Sequence, residues 1–403
     1  MPFAVYVLGL AVFAQGTSEF MLSGLVSGIA ADLGVSLSAA GLLTSAFAVG
    51  MVVGAPLMAL AGRTWPRRRA LLFFLAVFIA VHVVGALTPS YGILLATRFV
   101  GALANAGFWA VALTTAVALV PDRLKGRATA VVVGGVTVAC VVGVPAGAVL
   151  GERWGWRSAF WAVALVSLPA VVAVLRSLPG GRSTAESAAP APVPVRDELR
   201  VLTGPRLRPV LLTMALVQGA TFCAFSYLEP LLTRETGLGA GWVPVALALF
   251  GAGAFAGVTV AGRFTDAHPV AVVATGMTAL VVGWAALALT ADRPVFALAL
   301  VPLLGLLAFG TGTALITRVL GLAPGAPTLA GAFSTTAFNL GATVGPWAGG
   351  LTLDAGLGYR GPVWVSALLV ALALPTAGAR WLLRRVRGSA RERTRGRAAG
   401  PCA

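Results

Sequence analysis

Charged side chains are scarce in this 403-residue chain. Asp, Glu, Lys and Arg make up 10% of it, whereas soluble globular proteins carry roughly 25%. The chain is 58% hydrophobic and its mean hydropathy is +0.93. So little charge cannot cover a water-facing surface. This composition excludes a soluble enzyme, a soluble nucleic-acid-binding protein and a disordered chain.

The residue types that carry most enzyme chemistry are also few. The sequence has two His and three Cys, and Cys140, Cys223 and Cys402 suggest no disulfide framework. It has no Gly-x-x-x-x-Gly-Lys-Ser/Thr loop for ATP and no Cys/His cluster with metal-ligand spacing. We therefore expect no metal and no cofactor. An integral membrane enzyme and a channel stay open as alternatives from other classes.

Long apolar runs are abundant, and a run of about 20 residues spans a bilayer as a helix. The first run contains Glu19 and lacks a basic leader, so we interpret it as a retained membrane helix. The sequence predicts an all-α membrane protein with twelve transmembrane helices. The predicted spans are 4–27, 40–61, 70–88, 91–119, 127–150, 158–176, 209–230, 242–262, 269–290, 294–316, 328–352 and 361–383.

A stretch rich in Pro, Ser and both charge signs separates the sixth and seventh spans. It predicts an N-terminal six-helix half over 1–178, a cytoplasmic linker over 179–208, a C-terminal half over 209–383 and a basic cytoplasmic tail over 384–403. With both termini in the cytoplasm, 23 of the 29 Lys and Arg residues fall on the inner side. This bias follows the positive-inside rule and explains the net charge of +16 without nucleic acid as a partner.

The two halves repeat each other in sequence. Span 5 carries Gly143-Val144-Pro145-Ala146-Gly147, followed by Gly155-Trp156-Arg157. Span 11 carries Gly345-Pro346-Trp347-Ala348-Gly349, followed by Gly358-Tyr359-Arg360. Two parallel six-helix repeats with a substrate site between them are the plan of major facilitator transporters.

Three motifs resemble those of the drug:proton antiporters of the major facilitator superfamily, over essentially the whole chain. The stretch from Ala61 to Arg68 is similar to the motif Gly-x-x-x-Asp-Arg-x-Gly-Arg-Arg, although Arg63 stands at the Asp position. Pro66 also replaces a Gly of this motif, and the counterpart in the second half keeps an acid, Asp266. Arg98-Phe99-Val100-Gly101 resembles the Arg pattern of span 4, and Gly143 to Gly147 resembles the antiporter motif of span 5.

The opening Gly16-Thr17-Ser18-Glu19-Phe20, with the Gly143 and Gly155 segments, resembles chloramphenicol exporters of actinobacteria. The resemblance implies proton-coupled efflux of a small apolar drug, chloramphenicol above all, by alternating access in the plasma membrane. It implies a monomer that needs lipid, drug and protons as partners, with the proton gradient in place of a cofactor. Related exporters of sugars or nucleosides share much of the pattern and remain the alternative.

Two charged residues lie deep in predicted spans. A carboxyl group buried like Glu19 favours its protonated form, which suits a proton carrier, whereas a solvated helix end is the alternative reading. Arg98 lies at similar depth, so we predict that it pairs with Glu19, either for coupling or purely as a structural pair. Gln15 and Asn105 are expected on the same faces and would line the cavity.

The other candidate residues are aromatic or small. Drug contacts are predicted from Phe20, Phe108, Trp109, Phe222, Phe225 and Tyr227, although any single aromatic residue in a membrane helix more often serves as lipid-facing packing. Gly143, Pro145 and Gly147 predict a tightly packed bend that serves as hinge and seal, with Arg63 and Asp266 in the matching gating loops. His82 and Glu229 are kept as further residues that could take part in coupling.

Overall fold

The computed structural model describes residues 2–61, 65–177, 195–202, 204–265, 269–323, 326 and 329–376. Within these ranges every regular element is a helix. Arg63 and Asp266, two of the predicted gating residues, lie outside the described residues. The predicted tail over 384–403 and most of the predicted linker lie outside them as well.

In the described part of the chain, ten helices are long and apolar enough to cross a membrane. They are Phe3–Gly24, Leu37–Met58, Arg67–Leu87, Tyr91–Ala118, Lys125–Trp154, Trp156–Arg176, Arg208–Ser226, Trp242–Phe264, Val270–Leu289 and Pro294–Leu322. Two more helices follow, Leu329–Asp354 and the shorter apolar Gly361–Thr376. We number these helices spans 1 to 12, and their order along the chain is the predicted one.

Shorter helices extend or connect the spans. Val26–Leu33 continues span 1 after a break, and Val195–Leu202 lies between the halves. Glu198 of this connecting helix is fully buried, and its carboxylate accepts a hydrogen bond of 2.7 Å from the amide of Leu329 at the start of span 11. A carboxylate at a helix N-terminus accepts a hydrogen bond from a free backbone amide and interacts favourably with the positive end of the helix dipole. The connecting helix is therefore fixed to the second half.

The repeat is visible in matching ion pairs at the Arg157 end of the bundle, the end that the sequence predicts to face outward. Asp32 pairs with Arg157 in the first half, and Glu235 pairs with Arg360 at 2.6 Å in the second. Asp32 and Glu235 are separated by the same number of residues as Arg157 and Arg360, and this separation is the constant offset between the two halves. Two glycines with positive φ lie near each ion pair along the chain. A residue with a side chain would be strained in this left-handed backbone conformation. The glycines are Gly34 (φ 64°) and Gly155 (79°), then Gly237 (73°) and Gly358 (73°).

The Asp32 pair also joins three segments of the first half. Arg157 donates a second hydrogen bond of 3.1 Å to the carbonyl of Thr88, and the Trp156 indole donates to Asp32 at 3.1 Å. The hydrogen bonds from Arg157 and Trp156 hold the pKa of Asp32 below its ordinary value. This contribution to stability is present above the ordinary pKa of Asp and is lost as the pH falls through the lowered one.

Glycines allow helices within each half to touch backbone to backbone. A side chain at Gly50 in span 2 would meet the carbonyl of Phe99 in span 4. At the matching place in the second half, a side chain at Gly253 in span 8 would meet the carbonyl of Pro302 in span 10. Close approach through small residues is how membrane helices pack without help from water. Each half is therefore a tightly joined unit.

The two halves meet through spans 2 and 11 and through spans 5 and 8. The Ser45 hydroxyl in span 2 donates to the carbonyl of Thr343 in span 11 at 2.8 Å. Gly251 in span 8 lies against the backbone of Cys140 in span 5. Towards the Arg157 end, Gly41 of span 2 lies against the hydroxyl of Tyr227. This end of the bundle is closed by contacts between the halves.

Adjacent glycines in span 5 offer a test of this packing. Gly135→Ala should destabilise the protein, because its new methyl group would overlap the Gly9 carbonyl in span 1. Gly134→Ala is the matched control: nothing lies within 4 Å of its methyl group, and Ala favours a helix over Gly by about 0.5–1 kcal/mol. The measurement is the thermal midpoint of both purified variants. Equal midpoints would contradict the packing of spans 1 and 5.

Candidate functional site

The centre of the candidate site is a break in span 1. The α-helix ends at Phe20 and continues as a short 3₁₀ turn, Met21–Gly24. Backbone carbonyls near such a break need other partners, since lipid offers none. The Ser23 hydroxyl donates to the Phe20 carbonyl at 2.8 Å, and Arg98 donates to the Ser18 carbonyl at 2.9 Å. Glu19 therefore stands next to a stretch of backbone that side chains hold in place.

Arg98 is among the largest fully buried side chains in the described residues, and its hydrogen bonds go to Ser18. One guanidinium nitrogen donates to the Ser18 hydroxyl and the other to the Ser18 carbonyl, both at 2.9 Å. The guanidinium also lies 4.5 Å from the centre of the Phe47 ring of span 2, a stabilising cation–π distance. Span 4 is thus tied to spans 1 and 2 at this one residue.

This arrangement differs from the predicted direct pairing of Arg98 with Glu19. Both residues are described, and no nitrogen of Arg98 lies within 4.0 Å of the Glu19 carboxylate. The reason is helix geometry, because successive residues point about 100° apart around an α-helix. Arg98 faces Ser18, and the half-buried Glu19 lies beside it. An ionised Glu19 would be attracted to the guanidinium even without a hydrogen bond between them.

Two buried amides accompany these charges. Gln15, one turn before Glu19, is fully buried, and neither end of its amide has a hydrogen-bond partner. Asn105 of span 4 is also fully buried; it donates only a weak bond of 3.6 Å to the sulfur of Met51, and its oxygen has no partner. A buried polar atom without a partner costs about 1–3 kcal/mol. These amides are therefore suited to bind polar groups of a ligand.

A cluster of aromatic rings lies next to Glu19, across the boundary between the halves. Phe20, the neighbour of Glu19, stacks on Phe222 of span 7 with ring centres 5.6 Å apart. Its ring also lies 6.3 Å from Phe225 and 6.3 Å from Phe309. The predicted contacts Phe20, Phe222 and Phe225 thus lie in one cluster that joins span 1 to the second half.

Three members of this cluster were not predicted from the sequence, namely Phe250, Phe309 and Phe338. Phe250 contacts Phe225 at 4.6 Å, and Phe338 contacts Phe222 at 5.5 Å, between ring centres. The internal repeat could have indicated Phe309, because at the constant offset it matches the residue after Asn105. At the same offset Phe250 matches Phe47, the ring that contacts Arg98. Phe338 carries no such signal, because the sequence does not show where a ring in an apolar helix points.

The remaining predicted aromatics lie elsewhere. Tyr227 is buried at the junction of spans 2, 7 and 11, where its hydroxyl donates to the Pro346 carbonyl at 2.8 Å. It therefore closes the Arg157 end and lies apart from the ring cluster. Phe108 is buried in the core of the first half, and Trp109 packs against that core while half exposed.

The predicted gating motif packs directly on the broken end of span 1. Gly143, Gly147 and Gly151 follow one another at helical spacing, and they face Thr17, Met21 and Leu25 in the same order. The preceding segment Ala139–Gly143 is a π-helix. Pro145 lies two residues after its end and supplies the cause, because proline cannot donate to the preceding turn. The bend of span 5 therefore rests against the residues on both sides of Glu19.

Glu229 lies between the halves at the Arg157 end. Its carboxylate accepts a hydrogen bond of 3.2 Å from the amide of Ser27, in the first turn of Val26–Leu33. The helix that continues span 1 is thus capped by an acid of the second half. This contact depends on the closed arrangement of this end.

Comparisons with known proteins agree with the motifs. A family model described as Major Facilitator Superfamily matches residues 8–334. The chain is 56% identical to the "chloramphenicol resistance protein" of Streptomyces lividans, over 94% of this chain and 96% of that protein. It is 34% identical to the inner membrane transport protein YdhP of Escherichia coli (strain K12), over 92% and 94% of the two chains.

A solved structure supports the fold. It is the inward-facing, unoccupied crystal structure of a bacterial homolog of the human lysosomal transporter Spinster. The TM-score is 0.73 with 17% sequence identity, over 93% of this chain and 95% of that chain.

A double-mutant cycle tests the link between Arg98 and Glu19. Arg98→Ala should lower membrane yield and thermal midpoint strongly, because it leaves the Glu19 carboxylate without an opposing charge. Adding Glu19→Gln should recover part of the loss, with an interaction energy of about 1 kcal/mol. The measurement is the thermal midpoint of wild type, both single variants and the double variant. Strictly additive losses would show that the two residues do not interact.

Proposed function

Because the chain belongs to the Major Facilitator Superfamily, a family of multi-pass membrane transporters, we propose that it exports chloramphenicol in exchange for protons. The predicted fold class is confirmed, and the chain is a transporter and not an enzyme. The observation that carries the choice of substrate is the 56% identity to the Streptomyces lividans chloramphenicol resistance protein along nearly the whole of both chains.

The chemistry of the site supports a substrate of this kind. Chloramphenicol has an aromatic ring at one end and hydroxyl and amide groups at the other. The rings of Phe20 and Phe222 provide an apolar surface. The Gln15 amide and the amide oxygen of Asn105, which have no partners, provide hydrogen-bonding groups. A mostly apolar pocket with a few polar groups is typical of sites for small drugs.

Coupling rests on Glu19 in this proposal. A carboxyl group among apolar residues can bind a proton from one side and release it to the other as the halves rock. Arg98 in span 4 places a positive charge near this carboxyl group. Proton and drug would then compete for the same region, so that binding of one promotes release of the other.

The protein would lie in the plasma membrane with both termini in the cytoplasm and the Arg157 end outward, and work as a monomer in contact with lipid. Halves at 1–178 and 209–383, joined by the linker at 179–208 and followed by the tail at 384–403, would move against each other. The proton gradient would be the energy source, with no bound cofactor.

The substrate is tested by transport in a susceptible bacterium. Cells that express the protein should accumulate less chloramphenicol than cells with an empty vector, and a protonophore should abolish the difference. Other amphenicols, arabinose and nucleosides complete the panel. Unchanged accumulation of chloramphenicol, with the protein present in the membrane, would overturn the drug assignment. Export of arabinose or a nucleoside would then favour the alternative substrate classes.

Coupling is tested by Glu19→Gln, which keeps the size of the side chain but cannot release a proton. This variant should remain in the membrane and lose uphill efflux down to the level of the empty vector. It should still carry the drug down a concentration gradient. Glu235→Gln, which changes an acid of the Arg360 ion pair, is the control and should keep proton-driven efflux. Normal uphill efflux by Glu19→Gln would show that another group carries the proton.

A further inference from the structure

Ser18 lies between two basic side chains in the interior of the first half. Its hydroxyl oxygen is 2.9 Å from a guanidinium nitrogen of Arg98 in span 4 and 2.6 Å from Nε2 of His82 in span 3. The other ring nitrogen of His82, Nδ1, is 2.7 Å from the carbonyl of Phe78. All three side chains are almost completely buried.

The partners determine where each hydrogen lies. The Phe78 carbonyl can only accept, so Nδ1 of His82 carries a hydrogen. Nε2 of a neutral ring is then an acceptor, and the Ser18 hydroxyl donates to it. Arg98 can only donate, so it donates to the oxygen of the same hydroxyl. The hydrogen bonds therefore run in one direction, from Arg98 through Ser18 and His82 to the Phe78 carbonyl.

The neighbouring Arg98 disfavours a charged His82. A proton on Nε2 would turn the Ser18 hydroxyl away and place two positive charges around one oxygen. The charged or titratable groups on the surrounding helices are Glu19 in span 1, Arg98 in span 4 and Cys140 in span 5. Span 6 contributes the uncharged ring of Phe160. None of these groups forms a hydrogen bond that would favour a charged His82.

We infer that Ser18 and His82 are positioning residues that hold the guanidinium of Arg98 beside Glu19 but out of hydrogen-bond contact with it. This inference rests on the proposed role of Glu19 as proton carrier. A direct pair between a guanidinium and a carboxylate is among the strongest hydrogen-bonded contacts and favours the charged carboxylate. A carrier must accept a proton as readily as it releases one, so a partner held at a distance suits this task.

Replacement of His82 by Asn or by Gln can separate its two hydrogen bonds, one with Phe78 and one with Ser18. In His82→Asn, the side-chain amide takes the place of Nδ1 and can still donate to the Phe78 carbonyl, but it does not reach Ser18. In His82→Gln, the longer side-chain amide takes the place of Nε2, and its oxygen can still accept from the Ser18 hydroxyl. Ser18→Ala removes the hydroxyl and keeps the backbone carbonyl that binds Arg98. His82→Asn and His82→Gln thus form a matched pair.

The experiment measures chloramphenicol efflux in proteoliposomes over a series of pH values, with the pH difference across the membrane held constant. In Ser18→Ala the guanidinium loses its bond to the hydroxyl, and in His82→Asn the hydroxyl is no longer oriented towards it. With one fixed hydrogen bond left, to the Ser18 carbonyl, the guanidinium can turn towards Glu19 and favour its charged form. The pH midpoint of efflux should therefore move towards acid by about 1 unit, the effect of an opposite charge at contact distance. His82→Gln should keep the wild-type midpoint. A loss of stability alone would lower the amount of protein without moving the midpoint.

Two results would overturn the inference. One is a wild-type midpoint in both Ser18→Ala and His82→Asn. The other is an equal shift in His82→Gln and His82→Asn, because retention of the Ser18 bond would then have no effect. If the His82 variants do not reach the membrane, Ser18→Ala decides by itself, since it is smaller than the native residue. Failure of the proposed function is a separate result, namely uphill efflux by Glu19→Gln.

Discussion

Arg98 places a positive charge among apolar helices, and a guanidinium there is tolerated only with its donors and its charge compensated. Ser18 supplies a hydroxyl and a carbonyl, Phe47 supplies a ring face, and Glu19 supplies an opposite charge nearby. The Ser18 carbonyl lies next to the point where span 1 stops being an α-helix. The break in span 1, the position of Glu19 and the packing of spans 2 and 4 thus all depend on this residue.

The two halves repeat one helical plan but hold two kinds of chemistry. At the constant offset that relates the halves, Glu19 corresponds to Phe222 and Arg98 corresponds to Val301. The charged groups therefore belong to the first half alone, and the matching positions of the second half are apolar. Phe222 stacks on Phe20, the residue after Glu19. A site between the halves consequently has a charged side and an aromatic side.

The features that could be predicted from the sequence are those that the membrane restricts most strongly. Span order, the repeat and the depth of Glu19 and Arg98 follow from the length of apolar runs, because a bilayer permits only helices of about that length. The partner of Arg98 could not be predicted in this way. Depth places a residue along the helix axis, but the choice between Ser18 and Glu19 depends on rotation about it. The position of Tyr227 in the closed end was missed for the same reason, since it depends on Gly41 in another helix.

The contacts around span 1 indicate how a proton could affect the whole molecule. One face of its broken end lies against Gly143 and Gly147 of span 5, and Phe20 lies against rings of the second half. Within each half the helices touch backbone to backbone, so a half moves more easily as a unit than by internal rearrangement. A change in the charge of Glu19 therefore acts at the boundary where the halves can move. In the proposed mechanism, the polar groups that would bind the proton and the rings that would contact the substrate share a single helix break, which would be the physical basis for coupling them.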